Sequence, residues 1–249
     1  MSDDNNKQTL ASVNRALDVL EAFTPEHPTW GLSPLARELN IGKATLHRLL
    51  RNLEDRGYLL QDEETRLYRL GFRTLRIAQA ALVNTPSDVA LPNLRRAAHS
   101  LGEQTTLWVL DGAEVVCVAK VAGTKPLRAH TNLGAREPAK LLASGRCLLA
   151  HREPSELRQL LGPSHVELAD ELAEARERGF VVSNRRWPEV MAVAAPVRDH
   201  RGRVIAAMSL SGPAARLRDD ELQTATDVIC SAAIETSRAL GYELADVTD

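Results

Sequence analysis

The chain is poor in cysteine: Cys117, Cys147 and Cys230 are all that 249 residues contain, far apart and odd in number. No CxxC pair occurs, which speaks against a disulfide framework or a zinc site and for a reducing compartment. No run of eighteen apolar residues is present, and the first residues, MSDDNNKQT, are polar and acidic. Neither a membrane span nor a signal peptide is expected, and the cytoplasm is the expected location. An excess of one charge is missing too. With 31 Lys and Arg against 33 Asp and Glu the formal net charge is -2, so bulk charge neither requires nor excludes nucleic acid, and only local clusters inform. Catalytic signatures are absent: there is no GxSxG, GxxxxGK(S/T), GxGxxG or HExxH, and the 7 histidines show no metal-ligand spacing. No enzyme, cofactor or metal centre is expected.

What remains is ordinary for a globular protein, 44% hydrophobic and 26% charged, and long enough for one large or two modest domains. Val13, Ala16, Leu17, Leu20 and Phe23 repeat at helical spacing until Pro25 and Pro28 end the run. Ser33-Pro34 reads as a helix start, with Leu35, Ala36 and Leu39 facing inward. Asn40-Ile41-Gly42 breaks that helix, and a third follows with Leu46, Leu49, Leu50 and Leu53 as its stripe and Gly57 as its end. Two strands, YLLQ (58–61) and RLYRL (66–70), flank the polar turn DEET. Helix, short helix, tight turn, helix and hairpin outline a winged helix-turn-helix over residues 9–71, its two core helices at about 32–51. FRTLRIAQAALV then predicts a linker helix within 72–86.

The stretch IGKATLHRLLRNLEDRGYL (41–59) concentrates cations: Lys43, His47, Arg48 and Arg51, with no acid between them. A solvated basic face would explain a lone helix of this kind. The order of elements around it favours DNA instead, because the second helix of this motif lies in the major groove. Lys43, Thr45 and His47 are expected at base edges or in the groove, and Arg48, Arg51 and Arg66 at phosphates. Ser33, Ala44 and the wing residue Arg69 complete the expected DNA-facing set.

From about residue 87 to 243 the pattern changes. Leu94, Ala97, Ala98 and Leu101 form a helix after Pro92; TTLWVLDG and EVVCVAKV are strands around an Asp-Gly turn, and LRAHTN reads as another strand. Helices are expected at about 139–151, 154–161 and 167–178, then the hairpin VMAVAAPVRD/RVIAAMSLSG over His200–Gly202, then a helix at about 219–240. This is an α+β arrangement.

The segments SVNRALDVLEAF, LSPLARELNIGKATLHRLLRNLEDRGYL and YRLG resemble the N-terminal domain of the IclR family of bacterial transcriptional regulators. The resemblance continues through LGEQTTLWVLDGAEVVCVAKV, LGAREPAKLLASGRCLLA and VAAPVRDHRGRVIAAMSLSGPAARL, and so spans about residues 9 to 240. It implies a winged-helix domain, a linker helix and a GAF-like α/β effector-binding domain that also oligomerises. It further implies a homodimer or homotetramer on a palindromic operator, with repression the expected sense. A small-molecule effector, an organic or aromatic acid, is implied in a pocket touched by Leu127, Lys140, Ala143, Ser144, Gly145, Ser183, Ala192, Ser209 and Ser211. The chain departs from the family pattern where Lys140 and Leu142 stand for a usual histidine and threonine, and where Glu189 stands for a frequent glycine. Lys140, Arg185 and Arg186 near the pocket would suit an anion. The alternative is a regulator without a small ligand, acting constitutively or through oxidation of Cys147.

Overall fold

A computed structural model describes residues 3–83 and 85–243. The chain divides into two compact units, residues 1–81 and 82–249.

The first unit contains α1 (Asp3–Glu21), β1 (Thr29–Trp30), α2 (Leu32–Glu38), α3 (Lys43–Asp55), β2 (Leu59–Gln61) and β3 (Tyr68–Leu70), followed by α4 (Arg73–Leu82). Its core joins Val19 and Phe23 with Leu35 and Ala36 of α2, Leu46, Leu50 and Leu53 of α3, and Leu59 and Tyr68 of the hairpin. Leu46 and Leu50 are fully buried, each worth roughly 1.5–3 kcal/mol of transfer free energy. Asn40 takes φ +50°, the left-handed turn that lets α2 and α3 fold onto each other. The wing has three strands in the order β1-β3-β2, all antiparallel. The two residues of β1 are too few to carry a period and escape a reading of the sequence. Ser33 is not the cap of α2: Gly31 holds that position, with no side-chain cap bond, and Ser33 lies inside the first turn.

The second unit runs α5 (Ser87–Leu101), β4 (Gln104–Asp111), β5 (Glu114–Val121), β6 (Arg136–Pro138), α6 (Ala143–Leu149), α7 (Pro154–Leu161), α8 (Ser164–Arg178), β7 (Val181–Ser183), β8 (Val190–Arg198), β9 (Val204–Pro213) and α9 (Asp219–Ala239). Its six strands pair antiparallel in the order β6-β5-β4-β9-β8-β7. The period of two along each strand sorts residues between the faces. Leu107, Val193, Ala195, Val197, Ala206, Met208 and Leu210 pack with Leu94 of α5 and Ile229 of α9. Trp108, Ala194 and Ala207 face the other way, toward Cys147 and Leu148 of α6 and Leu172 of α8.

Three sequence expectations change here. Pro92 lies inside α5, which begins at Ser87; the proline forfeits only the bond to the carbonyl of exposed Asp88, in the first turn. LRAHTN forms no strand: side chains take its backbone groups, Gln104 Oε1 accepting from Thr131 N (3.2 Å) and Lys120 Nζ donating to Thr131 O (2.8 Å). The edge strand is β6 instead. The helix expected from 139 begins at Ala143, after a turn at Ala139–Lys140.

Candidate DNA interface and effector cavity

On α3, three leucines per two turns point inward and leave the other face to Lys43, Ala44, His47, Arg48 and Arg51, all exposed, with Thr45 half-buried. The cations stand three or four residues apart and share that face. All eleven ion pairs among the described residues lie in the second unit. None neutralises Lys43, Arg48, Arg51, Arg66 or Arg69. Unpaired cations on one helix are poised for an external polyanion.

The wing turn is built by Asp62, whose carboxylate accepts from Thr65 N (2.8 Å) and Thr65 Oγ1 (2.7 Å). Those bonds, the backbone one foremost, hold its carboxyl below the usual range. Gln61 Nε2 donates to Arg66 O (2.9 Å), and Arg66 takes φ +59° at the turn. Ser33, His47 and Arg66 meet at one groove, with Gln61, Thr65 and Tyr68. First-helix, recognition-helix and wing residues therefore share one surface.

The second unit encloses a cavity of about 220 Å³, space for roughly seven waters. Its floor is the α6-facing side of the sheet: Thr106 and Trp108 of β4, Ser209 and Ser211 of β9, Val190 and Ala192 of β8, and Ser183 of β7. The register makes two rows. Thr106 pairs with Ser209, which pairs with Ala194; Gln104 pairs with Ser211, then Ala192, then Ser183. Small side chains in both rows leave the space between sheet and helix unfilled, where a larger residue would close it. Leu141, Leu142, Ala143 and Ser144 form the opposite wall, Ala129, His130 and Thr131 one flank, and Asn184, Arg186 and Trp187 another.

Several of these lining side chains are polar. Trp108 Nε1 donates to Thr106 Oγ1 (2.8 Å). Ser144 is 1% exposed and its hydroxyl has no hydrogen-bond partner. Arg186 Nε donates to Glu137 Oε2 (2.9 Å), and its guanidinium stacks on Trp187 with 5.0 Å to the ring centre.

Of the effector residues expected from the sequence, Ala143, Ser144, Ser183, Ala192, Ser209 and Ser211 line this cavity. Leu127 does not and is 68% exposed. Lys140 turns away, its Nζ donating to Ser164 Oγ (3.3 Å). Gly145 stands behind the wall, where a Cβ would lie 2.1 Å from Ala139 O; its lack of a side chain serves packing. Arg185 pairs with Glu171 (2.6 Å), which also holds Arg146 (2.8 Å), and these bonds, Arg185's foremost, keep the Glu171 carboxyl below its ordinary value. Only Arg186 of the three expected cations reaches the cavity. Thr106, Trp108, His130, Thr131, Asn184 and Trp187 were not anticipated. The alternation in TTLWVLDG held the signal for the first two, since Thr106 and Trp108 must oppose buried Leu107.

Cys147 is 3% exposed and burial pushes its thiol up. Burial likewise pushes Cys117 to about 12 and Cys230 to about 11. Burial disfavours the thiolate at all three, which weighs against the oxidation alternative. Among the described residues no cluster of His, Cys, Asp and Glu could hold a metal ion, and no helix is long and apolar enough to cross a membrane.

A winged helix-turn-helix with unneutralised cations on its recognition helix defines a DNA-binding transcriptional regulator. Residues 87–238 match the family described as bacterial transcriptional regulator IclR C-terminal, and residues 12–63 match the IclR helix-turn-helix domain. The chain belongs to the IclR family and is a transcriptional regulator, not an enzyme. It is similar to the HTH-type transcriptional regulator XynR of Escherichia coli (strain K12), 32% identical over 94% of this chain and 98% of that protein. It is also similar to the transcriptional repressor IclR of the same organism, 25% identical over 92% of this chain and 90% of that protein. The crystal structure of an IclR homologue from Microbacterium hydrocarbonoxydans, complexed with 4-hydroxybenzoate, shares the fold at TM-score 0.80 and 24% identity, over 92% of this chain and 98% of that one.

Proposed function

We propose that the protein is a cytoplasmic repressor that binds a palindromic operator as a homodimer or pair of dimers, and that a small organic acid in the second unit's cavity modulates that binding. The observation that carries the ligand half is the cavity itself, bedded on Thr106, Ser183, Ser209 and Ser211 and walled by Trp108, Leu141, Leu142 and Trp187. A mainly apolar enclosure with a few convergent hydroxyls suits a molecule with an apolar body and oxygen-bearing ends. Arg186 supplies the one cation at its rim, already shared with Glu137.

Oligomerisation is supported by apolar side chains that the first unit leaves in water: Val13 and Leu17 on α1, Phe72 just before α4, and Leu75 and Ile77 on it. A second copy of the chain covers such surfaces at the least cost in specificity. In a two-fold dimer the recognition helices would lie about 34 Å apart, or a multiple of that. Residues 72–86 act as the linker, and the acid biases the spacing by binding two arrangements unequally.

The test is fluorescence anisotropy of the full chain on the DNA upstream of its own gene. Salt is titrated first, then benzoate, 4-hydroxybenzoate and gluconate. Specific, steeply salt-dependent binding released by one acid is expected. Specific binding that no acid alters would defeat the ligand half.

A further inference from the structure

Gln104 begins β4 on the same face as Thr106 and Trp108, two residues of the cavity floor, and is 2% exposed. Its register partner on β9 is Ser211, which lines the cavity. Its Oε1 accepts from the backbone N–H of Thr131, another lining residue, at 3.2 Å. That bond fixes the amide's orientation, because the reverse would set the –NH₂ group against an N–H donor. The Nε2 is then left buried with no acceptor. A buried amide donor without a partner is costly and rare in folded proteins. Gln104 is not itself a lining residue, but it meets two that are, Ser211 by register and Thr131 by its hydrogen bond. Ser144, which does line the cavity, has a hydroxyl that is also buried and unpartnered.

We propose that Gln104 is a specificity-determining residue of the cavity, its carbonyl pinning the Thr131 flank and its free amide donor reserved for an oxygen acceptor of the ligand. This rests on the reading of the cavity as an organic-acid site. It deepens that reading by placing one ligand oxygen at the β4 end of the row Gln104, Ser211, Ala192, Ser183. Three strand spacings separate the ends of that row, about 14 Å. The ligand class is therefore an acid whose oxygens stand at the Gln104 end as well as along the serines, and a purely apolar tail at that end is rejected.

The test is titration of the full chain with benzoate, 4-hydroxybenzoate and gluconate, read by the fluorescence of Trp108 and Trp187 in the cavity. Gln104→Glu keeps the acceptor for Thr131 but replaces the donor; Gln104→Met removes both. We expect Gln104→Glu to stay folded by circular dichroism, with a melting temperature lowered by its buried charge, and to bind the wild-type protein's best acid about tenfold or more weakly near pH 8; the uncharged Gln104→Met should show a comparable loss of affinity. Lowering the pH should restore much of that loss as the introduced carboxyl group protonates and donates again. Wild-type affinity in Gln104→Glu at pH 8 would overturn the assignment and leave the cavity reading standing. A wild-type protein whose tryptophans respond to none of the three acids would overturn both.

Discussion

Glu103 and Arg216 are joined by two hydrogen bonds, Arg216 Nε to Oε1 at 2.8 Å and Nη2 to Oε2 at 3.1 Å, although Glu103 is entirely buried. Lys125 Nζ adds a third interaction at 3.2 Å, and Arg216 also donates to Leu127 O. A Cβ on Gly212 would come within 2.6 Å of Glu103 Oε2, so glycine there leaves room for the carboxylate. The pair ties the start of β4 to the end of β9 and to the segment that flanks the cavity.

Removing Arg216 leaves the buried Glu103 carboxylate with Lys125 as its one remaining cation among the described residues. Arg216→Met should cost about 3 kcal/mol in urea unfolding. The double change Glu103→Leu with Arg216→Met should recover part of that loss, because it removes the charge as well as its partner. Equal losses in the single and double variants would mean that the ion pair is not what the substitution breaks.

On α3, Arg48 and Arg51 have no carboxylate to release before they reach DNA. Arg48→Ala with Arg51→Ala should weaken operator binding across sequences and lower the slope of log K against log salt by about 0.9 for each phosphate that is no longer neutralised. Competition binding at several salt concentrations gives that slope directly, and an unchanged slope removes these arginines from the interface.

His151 is half-buried, and that burial, aided by Arg198, Arg176 and Arg152, pushes its imidazole down to about 4. The unfolded chain would protonate it near 6.5. The folded state therefore holds stability that is present above pH 6.5 and lost as pH falls toward 4. Melting temperatures should decline over that window, and His151→Gln should flatten the decline.

Burial raises the Cys147 thiol and shields it from an oxidant. Mass spectrometry after iodoacetamide treatment of the native protein near pH 7.5 should find Cys147 unmodified. Cys147→Ala should bind the operator equally well with and without hydrogen peroxide. Loss of DNA binding under peroxide in the parent but not in Cys147→Ala would restore the redox alternative.

Much of this was legible in the sequence, for identifiable reasons. The leucines of α3 announce their helix because a period near 3.6 survives in any context, and the cations fall on the other face by default. The hairpin of β8 and β9 is visible because VAAPV and VIAAMSL are apolar on both faces and close over a Gly-bearing turn. Ser209 and Ser211 came from resemblance alone; a serine in an alanine-rich strand looks the same whether it packs or lines a cavity. Gln104 and Thr131 escape because the bond between them joins a strand to a distant irregular segment, which no local pattern encodes. Leu127 and Lys140 are adjacent in sequence to cavity-forming segments, yet an irregular connection and a turn carry their side chains outward.

In the proposed function, one small acid and the operator compete energetically through a single protein. The measurement that tests it most directly is the affinity of the acid that perturbs Trp108 and Trp187, determined for free protein and again for operator-bound protein. Linkage requires that the acid weaken operator binding by the factor by which the operator weakens acid binding. A factor of five or more is expected in both directions, on the order of 1 kcal/mol of coupling. Equal affinity of the acid for free and operator-bound protein would contradict it.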